Sequence, residues 1–114
     1  MNVLLKVLEA LSPDVRAFVQ YHIQAWKGED PGLSRRWVEK AIEEFDGASK
    51  AAGRLTLLTA LAPHQVDEGV INGFRAYQPE DDKLVGATAW ASFTAARRIG
   101  TWLRVPAFVP ALVA

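Results

Sequence analysis

The sequence predicts an all-α fold, and three observations carry that prediction. Apolar residues recur at three- and four-residue spacing in several separate blocks. No block shows sustained period-two alternation. Helix caps and breakers separate the blocks at short intervals. A chain of 114 residues is the size of one domain and can bury a core without metal or disulfide staples. The expected architecture is a single helical domain over residues 1–114, a compact bundle of about six helices with one central buried helix at about residues 80–100.

The first block, residues 2–11, sets Val3, Leu4, Val7, Leu8 and Leu11 on one helix face. Ser12 and Pro13 then read as an N-cap and first turn, with Asp14 at the positive end of the helix dipole. The second helix runs to about residue 27, its stripe made by Val15, Phe18, Val19, Ile23 and Trp26 with His22 beside it, and the breakers of GEDPG end it. Ser34 caps a third helix over about 35–45, with Trp37, Val38, Ala41, Ile42 and Phe45 inward. Mixed charges at helical spacing make its other face a solvated one. The segment DGAS ends that helix. A fourth follows over about 50–61 with Leu55, Leu57, Leu58 and Leu61 apolar, stopped by Pro63. Asp67 caps a fifth over about 68–77. Its Gly69 and Gly73 either let a neighbour approach closely or are two glycines tolerated in a short helix.

Pro79 and the acids Glu80, Asp81 and Asp82 start the sixth helix. From 84 to 96 no residue is charged, and apolar or small side chains fall on every face around Trp90. Such a helix is surrounded by protein, either by the other helices or by those and a second subunit. Thirteen uncharged residues are too few to span lipid. Arg97 and Arg98 close the stretch near the negative end of the dipole, and Gly100 follows. The tail, RVPAFVPALVA, has two prolines and is not one regular helix. Its apolar content points to packing on a neighbour.

Composition excludes several function classes. Thirteen basic and thirteen acidic residues balance, with no basic stripe and with the aromatics at core spacing, so no nucleic-acid partner is expected. No apolar run is long enough for a membrane span, and Lys6 and Glu9 interrupt the N-terminal apolar stretch, so neither a membrane partner nor a signal peptide is expected and the location is read as cytoplasmic. The absence of cysteine removes disulfides, thiolate metal sites and cysteine nucleophiles. Four tryptophans in so short a chain need burial within the subunit or against a partner, and a net charge of zero removes one barrier to self-association.

Candidate chemistry is sparse. His22 lies within a helix, while His64 lies in a turn, where functional groups concentrate, and is the better candidate base. Neither has metal-ligand spacing, so no metal is expected, and no cofactor motif is present. Three acidic clusters each have an explanation as caps or dipole partners. Asp67 is the carboxylate kept beside His64 as a catalytic candidate. Ser92 has no nucleophile-elbow context. Arg97 and Arg98 follow Trp90 and Phe93 closely enough to fold over an aromatic face or to anchor an anionic ligand. The alternative is dipole complementarity with an ion pair to a neighbouring helix. Trp90, Phe93, Trp102 and Phe108 are the interface candidates.

The stretch 57–103 resembles the C-terminal helical region of the alkylhydroperoxidase-D-like, or carboxymuconolactone decarboxylase, superfamily. Leu58-Thr59-Ala60-Leu61-Ala62-Pro63 resembles its LT-x-x-P-type turn, and Phe93 to Ile99 resembles an F-N-x-x-N-R-type signature with Arg98 at the arginine and Arg97 in place of the asparagine. The resemblance covers 47 of 114 residues and implies an all-helical subunit that buries helices in a homo-oligomer. Redox members carry a glutamate and a CxxC-x-x-x-H motif. This sequence has no cysteine, so thiol peroxidase activity does not carry over, and no catalytic residue of the decarboxylase members is matched. Three functions follow as expectations: a homo-oligomeric, non-enzymatic or cryptic member of that superfamily; a binder or enzyme for a small anion such as a lactone or carboxylate; and a protein-interaction module docking through residues 105–114.

Overall fold

A computed structural model describes residues 10–29 and 32–103. Five α-helices and one 3-10 turn account for most of them, and no strand occurs among the described residues. Helix α1 spans Pro13–Ala25. It starts where the cap signal lies: the Ser12 hydroxyl accepts the Val15 N–H at 3.3 Å, and proline occupies the first turn. Val15, Val19 and Ile23, four residues apart, form its buried stripe with Leu11 below them. Each such side chain contributes about 1.5–3 kcal/mol of burial.

Helix α2, Arg36–Ala41, is shorter than the expected 35–45. Ser34 accepts the Arg36 N–H at 3.1 Å, one step short of true cap geometry, and the chain leaves the helix at Ile42. Phe45 nevertheless reaches the core edge, packing edge-on against Phe18 with ring centroids 4.9 Å apart. The segment DGAS starts helix α3, Gly47–Leu61, instead of separating two helices: Gly47 takes φ 53 and turns the chain straight into it.

The central helix of the described fold is α3, not the helix at 80–100. It touches every other helix, and its buried residues Ala51, Ala52, Gly53, Leu55, Thr56, Leu57, Leu58 and Ala60 lie all around it. Small residues permit this. A Cβ on Gly53 would sit 3.3 Å from Ile42 Cγ2, so the segment after α2 closes directly on the α3 backbone. Buried Thr56 is satisfied within the helix, donating to the Ala52 carbonyl at 2.7 Å.

A 3-10 turn, Pro63–Gln65, leads to α4, Glu68–Arg75, capped as expected by Asp67, whose Oδ1 accepts the Val70 N–H at 3.0 Å. Val70 and Phe74 are its buried pair. Among the described residues Gly69 and Gly73 admit no neighbouring element: none lies within 4 Å of a Gly73 Cβ, and beside Gly69 stands only the Asp67 cap.

Helix α5, Asp81–Leu103, begins after Pro79 and runs through Gly100. Ala87, Ala91 and Ala95 face the core at four-residue spacing, and these small side chains allow its extensive packing on α3. The opposite face is bare. Val85 is 58% exposed and Phe93 65%, with Ala89, Ser92 and Ala96 exposed between and beyond them. The expected all-round burial of this helix is therefore absent within the described chain. Most of the expected first helix, and the tail with Phe108, lie outside the described residues.

Candidate functional site

Arg97 and Arg98 lie inside α5, not at its end, since the helix continues to Leu103. One residue apart, they diverge by about 100° around the axis. Arg98 turns toward α1. Its Nε and Nη2 donate to the Trp26 carbonyl at 3.2 and 3.1 Å, and its guanidinium lies 5.3 Å from the Trp102 ring. It thus ties α5 to the extended residue that follows the last turn of α1. Trp102 in turn packs on Trp26, with ring centroids 5.1 Å apart. Arg97 lies over the Phe93 ring at 6.0 Å and has no carboxylate partner among the described residues.

A cavity of ≈ 380 Å³ opens beside this pair, between α1 and α5, lined by Gln20, Gln24, Thr94, Arg97, Arg98 and Thr101. Among the described residues no carboxylate lines it. Thr94 and Thr101 donate their hydroxyls to the Trp90 and Arg98 carbonyls at 2.7 and 2.6 Å, so their oxygens remain as acceptors. The glutamines escaped the sequence reading, although their i,i+4 spacing on the polar side of α1 was the available signal.

His64 and Asp67 are not brought together as an acid–base pair. His64 is exposed on the 3-10 turn, with no hydrogen bond, ion pair or ring contact among the described residues. Asp67 is exposed, caps α4 and pairs with Arg35 at 3.0 Å. The Val70 N–H, and after it Arg35, hold its carboxyl below the usual carboxylate range. A second ion pair borders the same surface: Arg54 grips Glu39 with two bonds at 2.6 and 2.9 Å. His22 packs edge-on against Phe18, and burial pushes its imidazole down. Among the described residues no three His, Asp or Glu side chains are grouped to hold a metal, and no helix is long and apolar enough to cross a membrane.

The interface candidates divide. Phe93 stands on the bare face of α5. Trp90 is half-buried against the core, and Trp102, 38% exposed, is engaged with Trp26. None of the four tryptophans is fully buried.

These features define a unit that is all-helical among the described residues, resembles the alkylhydroperoxidase-D-like superfamily, packs around α3 and bears an exposed helix face. The resemblance is borne out by a curated relative, the alkyl hydroperoxide reductase of Mycobacterium tuberculosis, which is 45% identical over 93 residues. That match covers 82% of this chain and 27% of the relative, so the chain spans about a quarter of the relative's length. No family model matches the chain. No solved structure matches it.

Proposed function

We propose that this chain is a helical unit that assembles with copies of itself through the outer face of α5, resembling the alkylhydroperoxidase-D-like superfamily but contributing no thiol chemistry. The observation that carries this is the uncharged stripe of Val85, Ala89, Ser92, Phe93, Ala96 and Ile99, which is solvent-exposed in the isolated chain. A contiguous apolar helix face supports an interaction surface, where scattered apolar residues would not. The small residues among them suit close approach of a second helix. A chain with no cysteine supplies no thiolate, so the reductase activity named for the relative is not expected of this chain's own side chains. A cytoplasmic location goes with this reading. Size-exclusion chromatography with light scattering tests the assembly. A mass of two or more chains is expected, and a clean monomer at micromolar concentration overturns it.

The cavity beside Arg97 favours a second reading, the binding of a small anion such as a carboxylate or lactone acid. Two guanidinium groups and, among the described residues, no acid line it. Arg97 is the anchor in this reading, because Arg98 is held by the Trp26 carbonyl. A thermal-shift screen against organic acids is expected to raise the melting temperature of the native chain and not of Arg97→Ala. Equal shifts in both, or none in either, count against it.

A further inference from the structure

The end of α1, the loop after it, α2 and the end of α3 meet around a separate slot of ≈ 210 Å³, lined by Trp26, Glu29, Trp37 and Leu61. Its two indoles are held by their N–H groups. Trp26 Nε1 donates to the Glu29 carbonyl at 3.1 Å, and Trp37 Nε1 donates to Gln65 Oε1 at 3.1 Å. Gln65 is itself fixed, 9% exposed and donating through Nε2 to the Gly32 carbonyl at 2.8 Å. With both N–H edges engaged, what the walls offer a ligand is almost wholly carbon. Trp102 braces Trp26 from another side. The rings belong to different elements and are tethered separately, which keeps the slot from closing on itself.

Three features select the occupant. Indole faces carry the negative end of the ring quadrupole and attract cations. Glu29 is the one charged residue lining the slot among the described residues. Its Oε2 accepts the Lys27 N–H at 3.2 Å, which keeps the carboxylate on the loop beside Trp26. Apart from the Glu29 carboxylate, the carbon walls have no acceptors for N–H groups. A primary ammonium would bring three donors, and those turned to the indoles and Leu61 would lose their hydration without replacement, whereas a quaternary ammonium brings none. The volume lies below the 300–1,000 Å³ typical of sites that enclose a drug-sized ligand, so it suits a head group and not a whole metabolite.

We propose that the Trp26–Trp37–Leu61 slot, with Glu29 beside it, binds the trimethylammonium head of a small quaternary ammonium compound of the choline type. The test titrates nitrogen-15-labelled full-length protein with choline and with its neutral isostere, in which a tert-butyl group replaces trimethylammonium. Choline is expected to shift the Trp26 and Trp37 indole N–H resonances and to leave that of Trp90 in place, binding about tenfold tighter than the isostere. Glu29→Gln, an exposed substitution, is expected to weaken choline and not the isostere. Trp37→Leu is expected to abolish both. Absence of shifts at the two indoles overturns the proposal. Equal affinity for choline and isostere also overturns it, reducing the slot to an apolar cleft, as does choline binding that Glu29→Gln leaves unchanged.

Discussion

Arg97 and Arg98 are sequence neighbours with different physical tasks, and their separation is testable. Arg98 holds the Trp26 carbonyl, just past the end of α1, with two charged hydrogen bonds and lies against Trp102, so Arg98→Ala is expected to cost about 1–2 kcal/mol in chemical denaturation. Arg97 is exposed over an exposed ring, and Arg97→Ala is expected to stay within about 0.5 kcal/mol. The sequence marked the pair but not the division. Which guanidinium meets α1 depends on the rotation of α5 against it, and no local pattern encodes that phase. The Arg54–Glu39 pair was illegible for a similar reason. Glu39 looked like part of a solvated helix face, and its partner lies fifteen residues away on the central helix. The Arg54 hydrogen bonds, followed by its charge, hold the Glu39 carboxyl below its ordinary 4.5. A carboxylate with a depressed folded value adds stability above its unfolded value and loses it as pH falls through the folded one. Burial of His22 acts in the same direction from 6.5 downward, because a neutral imidazole favoured by the fold resists the proton that the unfolded chain accepts. Thermal melts should therefore show stability falling in two stages on acidification. The stage below 4.5 should be blunted in Glu39→Gln, and an unchanged profile would contradict the pair's role.

At the level of elements, three helix starts are legible in the sequence and centrality is not. Ser12, Asp67 and the Pro79 acid run each mark a helix start in the sequence, because a cap is a local contract between a side chain and amides two or three residues on. Centrality is collective. The uncharged 84–96 run looked the more buried, yet α3 takes the middle although Arg54 interrupts it, since that guanidinium emerges at the rim and pairs there. Two glycines show the difference energetically. Gly53 lies under Ile42 and Phe45, so Gly53→Leu forces side-chain volume into an occupied space and is expected to destabilise by about 1–3 kcal/mol. Gly73 lies inside α4 with no described residue near its missing Cβ, so Gly73→Ala is expected to stabilise by about 0.5–1 kcal/mol. Denaturant midpoints of the two variants should move in opposite directions. Movement in the same direction would mean that one of these two environments is misplaced.

For the whole molecule, the all-round apolar character of α5 and its half-exposure are reconciled if its outer face is covered by another chain. The inner face meets the core through Ala87, Ala91 and Ala95 with Leu84 and Trp90 packed beside them, and Val85 and Phe93 take no part in that packing. That separation makes assembly measurable apart from folding. A subunit that dimerises only when folded gains stability by mass action, so its melting temperature rises with protein concentration. Native protein should show that rise across a hundredfold dilution series, together with a mass above one chain. Phe93→Glu sets a charge on the stripe while touching no core residue. It is expected to give a monomer with a concentration-independent melting temperature close to that of the most dilute native sample. If native protein melts at one temperature throughout the series and Phe93→Glu matches it, α5 keeps a bare face in solution, and the apolar residues there answer to a partner other than a second copy.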